Sequence, residues 1–167
     1  MSLLKPLLSV VESLLHEHEQ LLTLANRKKD ILIKGDMQAL NDLVKEELGC
    51  VQRVERLEGE RLGAGRLLAA RLGLAVDQLT AERVIALASD EAEATQMQAL
   101  TERLRSTVNE LQKQNDLNKQ LIEQSLQFVR LSVDLLSESP LVPTYGGTGA
   151  TNEPYSTGKT SYFDSKA

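Results

Sequence analysis

Few side chains in this sequence stand at spacings that support chemistry. His16-Glu17-His18 has the residue types of a metal cluster. On a helix, however, residues two apart point about 200° away from each other, so the two imidazoles cannot converge on one ion. They read as part of a solvated face. Ser156-Thr157-Gly158-Lys159-Thr160 has the ending of a phosphate-binding loop, but the first glycine of that loop should fall at Glu153, and no strand precedes or helix follows. Gly63-Ala64-Gly65 also lacks a preceding strand and the third glycine. The single cysteine, Cys50, cannot form an internal disulfide and reads as a small buried hydrophobe in a periodic apolar segment. With both histidines side by side, a Ser-His-Asp arrangement has no support, and the carboxylates are scattered among basic residues. No catalytic residue, metal or cofactor is expected, and the chain reads as a non-enzyme.

Composition points the same way. The chain has 167 residues, of which 41% are hydrophobic, 26% charged and 3% aromatic, with no Trp and a net charge of −5. An acidic balance argues against nucleic acid as the main partner, since phosphate binding needs clustered excess Lys and Arg. So few aromatics disfavour sheet faces and cofactor pockets. No run approaches the 18 or so apolar residues that a membrane span requires, and Glu12 interrupts the apolar start, so a cytoplasmic chain without membrane insertion is expected.

The periodicity predicts an all-α fold, an antiparallel bundle of three long helices with coiled-coil character. The first covers 6–34, with Leu4, Leu7, Val11, Leu14, His18, Leu21, Ala25, Lys28 and Leu32 spaced by three and four. Gly35-Asp36 is too short for anything but a helix-to-helix turn, Gly35 taking a left-handed cap and Asp36 capping the next helix. The second helix covers about 37–72, with Leu40, Val44, Val51, Val54, Leu57 and Leu68 on one side. Gly49, Gly59, Gly63 and Gly65 each cost it up to about 1 kcal/mol against Ala, so its second half should be the softest part of the bundle. A linker comes next with one short helix at 81–88, for which Thr80 is the N-cap. The third long helix covers 90–137, with Met97, Thr101, Leu104, Val108, Leu111, Asn115, Asn118, Ile122, Ser125, Val129, Ser132 and Leu136 in four-three spacing. Residues 1–137 thus form the bundle, and 138–167 read as a flexible tail with three of the four prolines and no periodicity.

At 1.5 Å per residue the three long helices measure about 43, 54 and 72 Å. The third outruns its partners, which leaves Leu121, Phe128, Leu131, Leu135 and Leu136 as an exposed apolar stripe. Three occupants are open: a partner's helix, a second copy of the chain, or the short helix and linker folding back. Asn115 and Asn118 interrupt the stripe, either as buried amides that restrict register or as solvated groups where the bundle splays. Four of the five aromatics, Tyr145, Tyr155, Tyr162 and Phe163, lie in the tail, where they suit docking into a partner's pocket.

Three segments carry a resemblance: LLTLANRKKDILIKGDMQALNDLVKEE at 21–47, QNDLNKQLIEQSLQFVRLSVDLL at 114–136, and PTYGGTG at 143–149. Their order and spacing resemble the FlgN-type flagellar export chaperones over nearly the whole chain. The ending YFDSKA is similar to that of some Gram-positive members. The resemblance implies a cytosolic chaperone that binds the C-terminal helices of hook-associated (hook-filament junction) proteins before their export through the flagellar type III apparatus. It implies that the last helix holds the substrate over 118–136, through Asn118, Leu121, Ile122, Ser125, Phe128, Val129, Leu131, Leu135 and Leu136. It also implies that Tyr145-Gly146 docks on the cytosolic domain of the export gate. A homodimer through the same seam is the alternative, and a possible state when substrate is absent.

Overall fold

A computed structural model of the chain describes residues 2–137. The expected tail, with Tyr145, Gly146 and the other tyrosines, lies outside the described residues. The first helix, α1, spans Lys5–Lys34 and carries Pro6 in its first turn, where a missing N–H breaks no helical bond. It closes at Gly35, whose φ of 73° is left-handed and whose N–H donates to the Ile31 carbonyl at 2.9 Å. Asp36 then starts α2, Met37–Leu72, its carboxylate accepting the Ala39 N–H at 3.0 Å. A two-residue turn makes α1 and α2 antiparallel neighbours. Cross-helix ion pairs hold them in register, Lys28 with Glu47 at 2.6 Å and Arg53 with Glu17 at 2.9 Å.

Despite Gly49, Gly59, Gly63 and Gly65, α2 is one unbroken helix of 36 residues. Its inner row is Leu43, Cys50, Leu57 and Leu68, so Val44 and Val51 turn out to be 46% and 38% exposed rather than on the core side. The cross-helix ion pairs agree with this rotation, since Glu47 and Arg53 flank the row that faces α1. Cys50 is buried as expected, and burial pushes its thiol up from the ordinary value.

After Gly73 the chain makes a short 3-10 turn, Val76–Gln78, and a six-residue helix, α3, Ala81–Ala86, two residues shorter than expected. Thr80 caps α3, its hydroxyl accepting the Arg83 N–H at 3.3 Å. The last helix, α4, spans Glu91–Ser137. Asp90 accepts the Glu93 N–H at 2.8 Å, and the Glu93 carboxylate accepts both the N–H and the hydroxyl of Ser89 at 2.7 Å. Ser2 also donates its hydroxyl to Glu93, and these bonds hold that carboxyl below the usual range, Ser2 foremost.

That contact sets the direction of α4. Its start lies beside the start of α1, Met97 joins the Leu4, Leu7, Leu8 and Val11 cluster, and further on Asn118 reaches Ala25, so α4 runs parallel to α1. A second cluster joins Leu21 and Leu24 of α1 to Leu43 and Cys50 of α2, with Leu111 of α4 packed on it. Among the described residues the Cα traces of α2 and α4 nowhere approach within 8 Å. The three long helices therefore do not close into an evenly packed bundle: α1 is the shared spine, and α2 and α4 each pack on it.

Gly59 and Gly63 lie in helical backbone, and a Cβ at either would meet no atom within 4 Å. The pair Gly59→Ala and Gly63→Ala is expected to raise the unfolding free energy by about 1 kcal/mol or more in sum, read from the urea midpoint.

Candidate protein-docking surface on the last helix

The face that α4 turns to α1 contains Met97, Leu100, Leu104, Thr107, Leu111, Gln114, Asn118 and Leu121. Alternate members match the sequence reading, whereas the intervening ones lie one residue earlier than expected. Thr107 is buried and Val108 is 38% exposed; Asn118 is buried and Asn115 exposed. The amide of Asn118 decides the matter. Its Nδ2 donates to the Ala25 carbonyl at 2.8 Å, and its Oδ1 accepts from Gln114 Nε2 at 3.1 Å. Of the two roles open for the asparagines, Asn118 takes the buried, register-fixing one and Asn115 the solvated one. Asn118 is thus committed to α1 and does not lie on the exposed stripe.

Beyond Ala25, α1 has nine more residues, whereas α4 has nineteen beyond Asn118. With the two helices parallel, α4 overhangs by ten residues, about 15 Å. Leu121 is half-buried where α1 still supports it. Past that point Ile122, Phe128, Val129, Leu131, Leu135 and Leu136 are all exposed, Phe128 by 71%. The sequence reading missed Leu117, Leu126 and Val133, which are also about half exposed. At 100° per residue Leu126 and Val133 share a flank with Ile122 and Val129, and Leu117 shares the opposite flank with Phe128 and Leu135. Following one seam hid this, although the run 117–136 carries apolar residues at ten of its twenty positions.

Polar groups on this stretch make few demands. The hydroxyls of Ser125 and Ser132 donate to the Leu121 and Phe128 carbonyls one turn back, each at 2.9 Å. Charges over 117–137 are Lys119, Glu123, Arg130 and Asp134, which sum to zero. The end of α4 also forms one wall of an apolar groove of about 350 Å³ against the α1–α2 turn. Ile122, Leu126 and Val129 line it from α4, and Ile31, Leu32, Met37 and Leu40 from the other side. Such a surface suits the apolar face of an amphipathic helix or an uncharged extended segment.

Among the described residues, no group of three or more His, Cys, Asp or Glu is placed to hold a metal ion. His16 is exposed, and His18 donates from Nδ1 to the Leu14 carbonyl at 2.7 Å, a bond within its own helix. No helix of the described residues is long and apolar enough to cross a membrane.

A family model described as FlgN protein matches residues 1–153. The chain belongs to the FlgN family. That family comprises flagellar export chaperones and not enzymes. YvyG of Bacillus subtilis (strain 168), an uncharacterized protein, is 29% identical over 150 residues, covering 90% of either chain. No solved structure gives a significant match. For a FlgN protein, an apolar end of α4 that has no partner among the described residues is a surface on which to look for a bound flagellar protein.

Asn118→Ala is expected to lower the unfolding free energy by about 1–2 kcal/mol. Asn115→Ala, on the solvated side, should stay within about 0.5 kcal/mol of the parent. Urea unfolding followed by helical circular dichroism separates the two.

Proposed function

We propose that this FlgN protein is a cytosolic chaperone for hook-associated flagellar proteins. Its α4 holds their C-terminal helices, keeps those helices from self-associating, and delivers them to the flagellar type III export gate. The observation that carries the reading is the ten-residue overhang of α4 with its exposed apolar flanks. The proposed docking residues are Leu121, Ile122, Ser125, Phe128, Val129, Leu131, Leu135 and Leu136, to which Leu126 adds a wall of the groove. Asn118 marks the near edge and contributes through the register of α4. Affinity comes from apolar burial at about 25 cal/mol per Å², offset by the ordering of the two partners.

Tyr145-Gly146 is assigned to docking on the cytosolic domain of the gate, on the strength of the family resemblance alone. A second reading, a homodimer through the exposed stripe with no export role, draws on the same apolar residues. Light scattering over a concentration series distinguishes the two, the chaperone keeping a mass near 18.4 kDa and the homodimer doubling it.

The deciding experiment is a calorimetric titration of the chain with the C-terminal helical segment of a hook-filament junction protein from the same organism. Saturable one-to-one binding supports the chaperone, and its absence from a well-folded chain shifts the weight to the homodimer. Phe128→Asp should abolish that binding with helical content unchanged, since Phe128 is 71% exposed and supports no core. Unchanged affinity in this variant would sink the surface assignment. Tyr145→Ala should spare substrate binding and weaken gate docking, and equal losses in both assays would count against the division of labour.

A further inference from the structure

We propose that the chain's own residues Leu141 to Tyr145 occupy the groove between the end of α4 and the α1–α2 turn, as an internal competitor for the docking surface. Three observations converge on this occupant. The groove is lined by apolar side chains with Asp36 as its one charged neighbour, so it favours an uncharged ligand. The sequence supplies one immediately after α4: residues 139–152 carry no charged side chain, and they open with Pro140, Leu141, Val142, Pro143 and Tyr145.

Length is the third. The middle of the groove, at Leu126, lies eleven residues back from Ser137, about 16 Å along the helix. Leu141 lies four residues beyond Ser137 and Tyr145 eight, reaches of about 13 and 26 Å for extended chain. Leu141 to Tyr145 therefore have the reach to meet the groove. Pro140 and Pro143 also disfavour continuation of a helix through this stretch of sequence, which suits it to an extended occupant. A partner helix must displace the segment, which lowers its apparent affinity by the fraction of chain in the closed state.

The surface is the one used in the chaperone reading, but occupancy by the chain's own segment needs no substrate. Its test is therefore made on the full chain alone, and a negative result there leaves the calorimetric titration standing. The sequence contains no Trp and three tyrosines, all beyond Ser137. With Tyr155→Phe and Tyr162→Phe, Tyr145 becomes the sole source of tyrosine emission. Acrylamide quenching of that emission should rise about twofold when the groove is altered by Leu126→Glu with Val129→Glu, because a seated ring is shielded from collision. Leu141→Ser with Val142→Ser, which leaves the folded helices untouched, should give the same rise. Helical circular dichroism should be unchanged throughout. Equal quenching in all variants overturns the proposal. So does shielding that disappears on dilution by about a hundredfold, since that dependence belongs to a second copy and not to the chain's own segment.

Discussion

The buried hydrogen bond from Asn118 to the Ala25 carbonyl fixes how far the last helix stands along the first, and the remaining architecture depends on that offset. A polar side chain between two helices costs stability unless its partner is in place, so a slide of α4 by one heptad would bring Leu111 or Ser125 to the carbonyl and strand the amide. At the other end Glu93 ties α4 to Ser2 and Ser89. With its start pinned and its middle keyed, α4 has only one direction in which to be longer than α1. Its excess length and the apolar residues on it are delivered to the same end of the molecule.

The spine role of α1 has a second effect. Because α2 and α4 share α1 and keep their backbones apart, a trough runs between them. Near the chain's start α3 and Leu79 cover it, with Val84 buried on Leu7, Val11 and Met97. At the α1–α2 turn, nothing among the described residues covers it, and Met37 and Leu40 face Ile122 and Leu126 across open space. The same helical arrangement thus gives a groove that α3 partly fills at one end and that no described residue fills at the other.

Much of this was legible in the sequence where a single residue decides a local structure. Gly35 and Asp36 specify the turn, Thr80 caps the short helix, and the helix lengths alone imply an overhang. The rotation of each helix was not legible. On α4 both Thr107 and Val108, and both Leu121 and Ile122, fit a helical stripe, and on α2 both Leu43 and Val44 do. Hydrophobicity favours Val108, but the amide of Asn118 and the cross-helix ion pairs outweigh one valine side chain. Leu126, Met37 and Leu40 escaped notice as site residues because a groove is a property of two elements brought together, and neither element signals it alone. The glycines of α2 lower its helix propensity without breaking it, since packing on α1 holds the helix continuous over its 36 residues.

The parallel pairing of α1 and α4 also orders events in time. Contacts between α1 and α2 close across a short turn, whereas the bonds from Ser2 to Glu93 and from Asn118 to Ala25 join residues 91 and 93 apart in sequence. Local contacts form before distant ones, and a chain emerging from the ribosome completes its first two helices before α4 has been made. The spine is therefore already assembled when the apolar end of α4 appears, and that end emerges last of the described helical segments. An exposed apolar portion of the chain is thus synthesised onto a finished scaffold, which shortens the interval in which it is exposed without register or orientation.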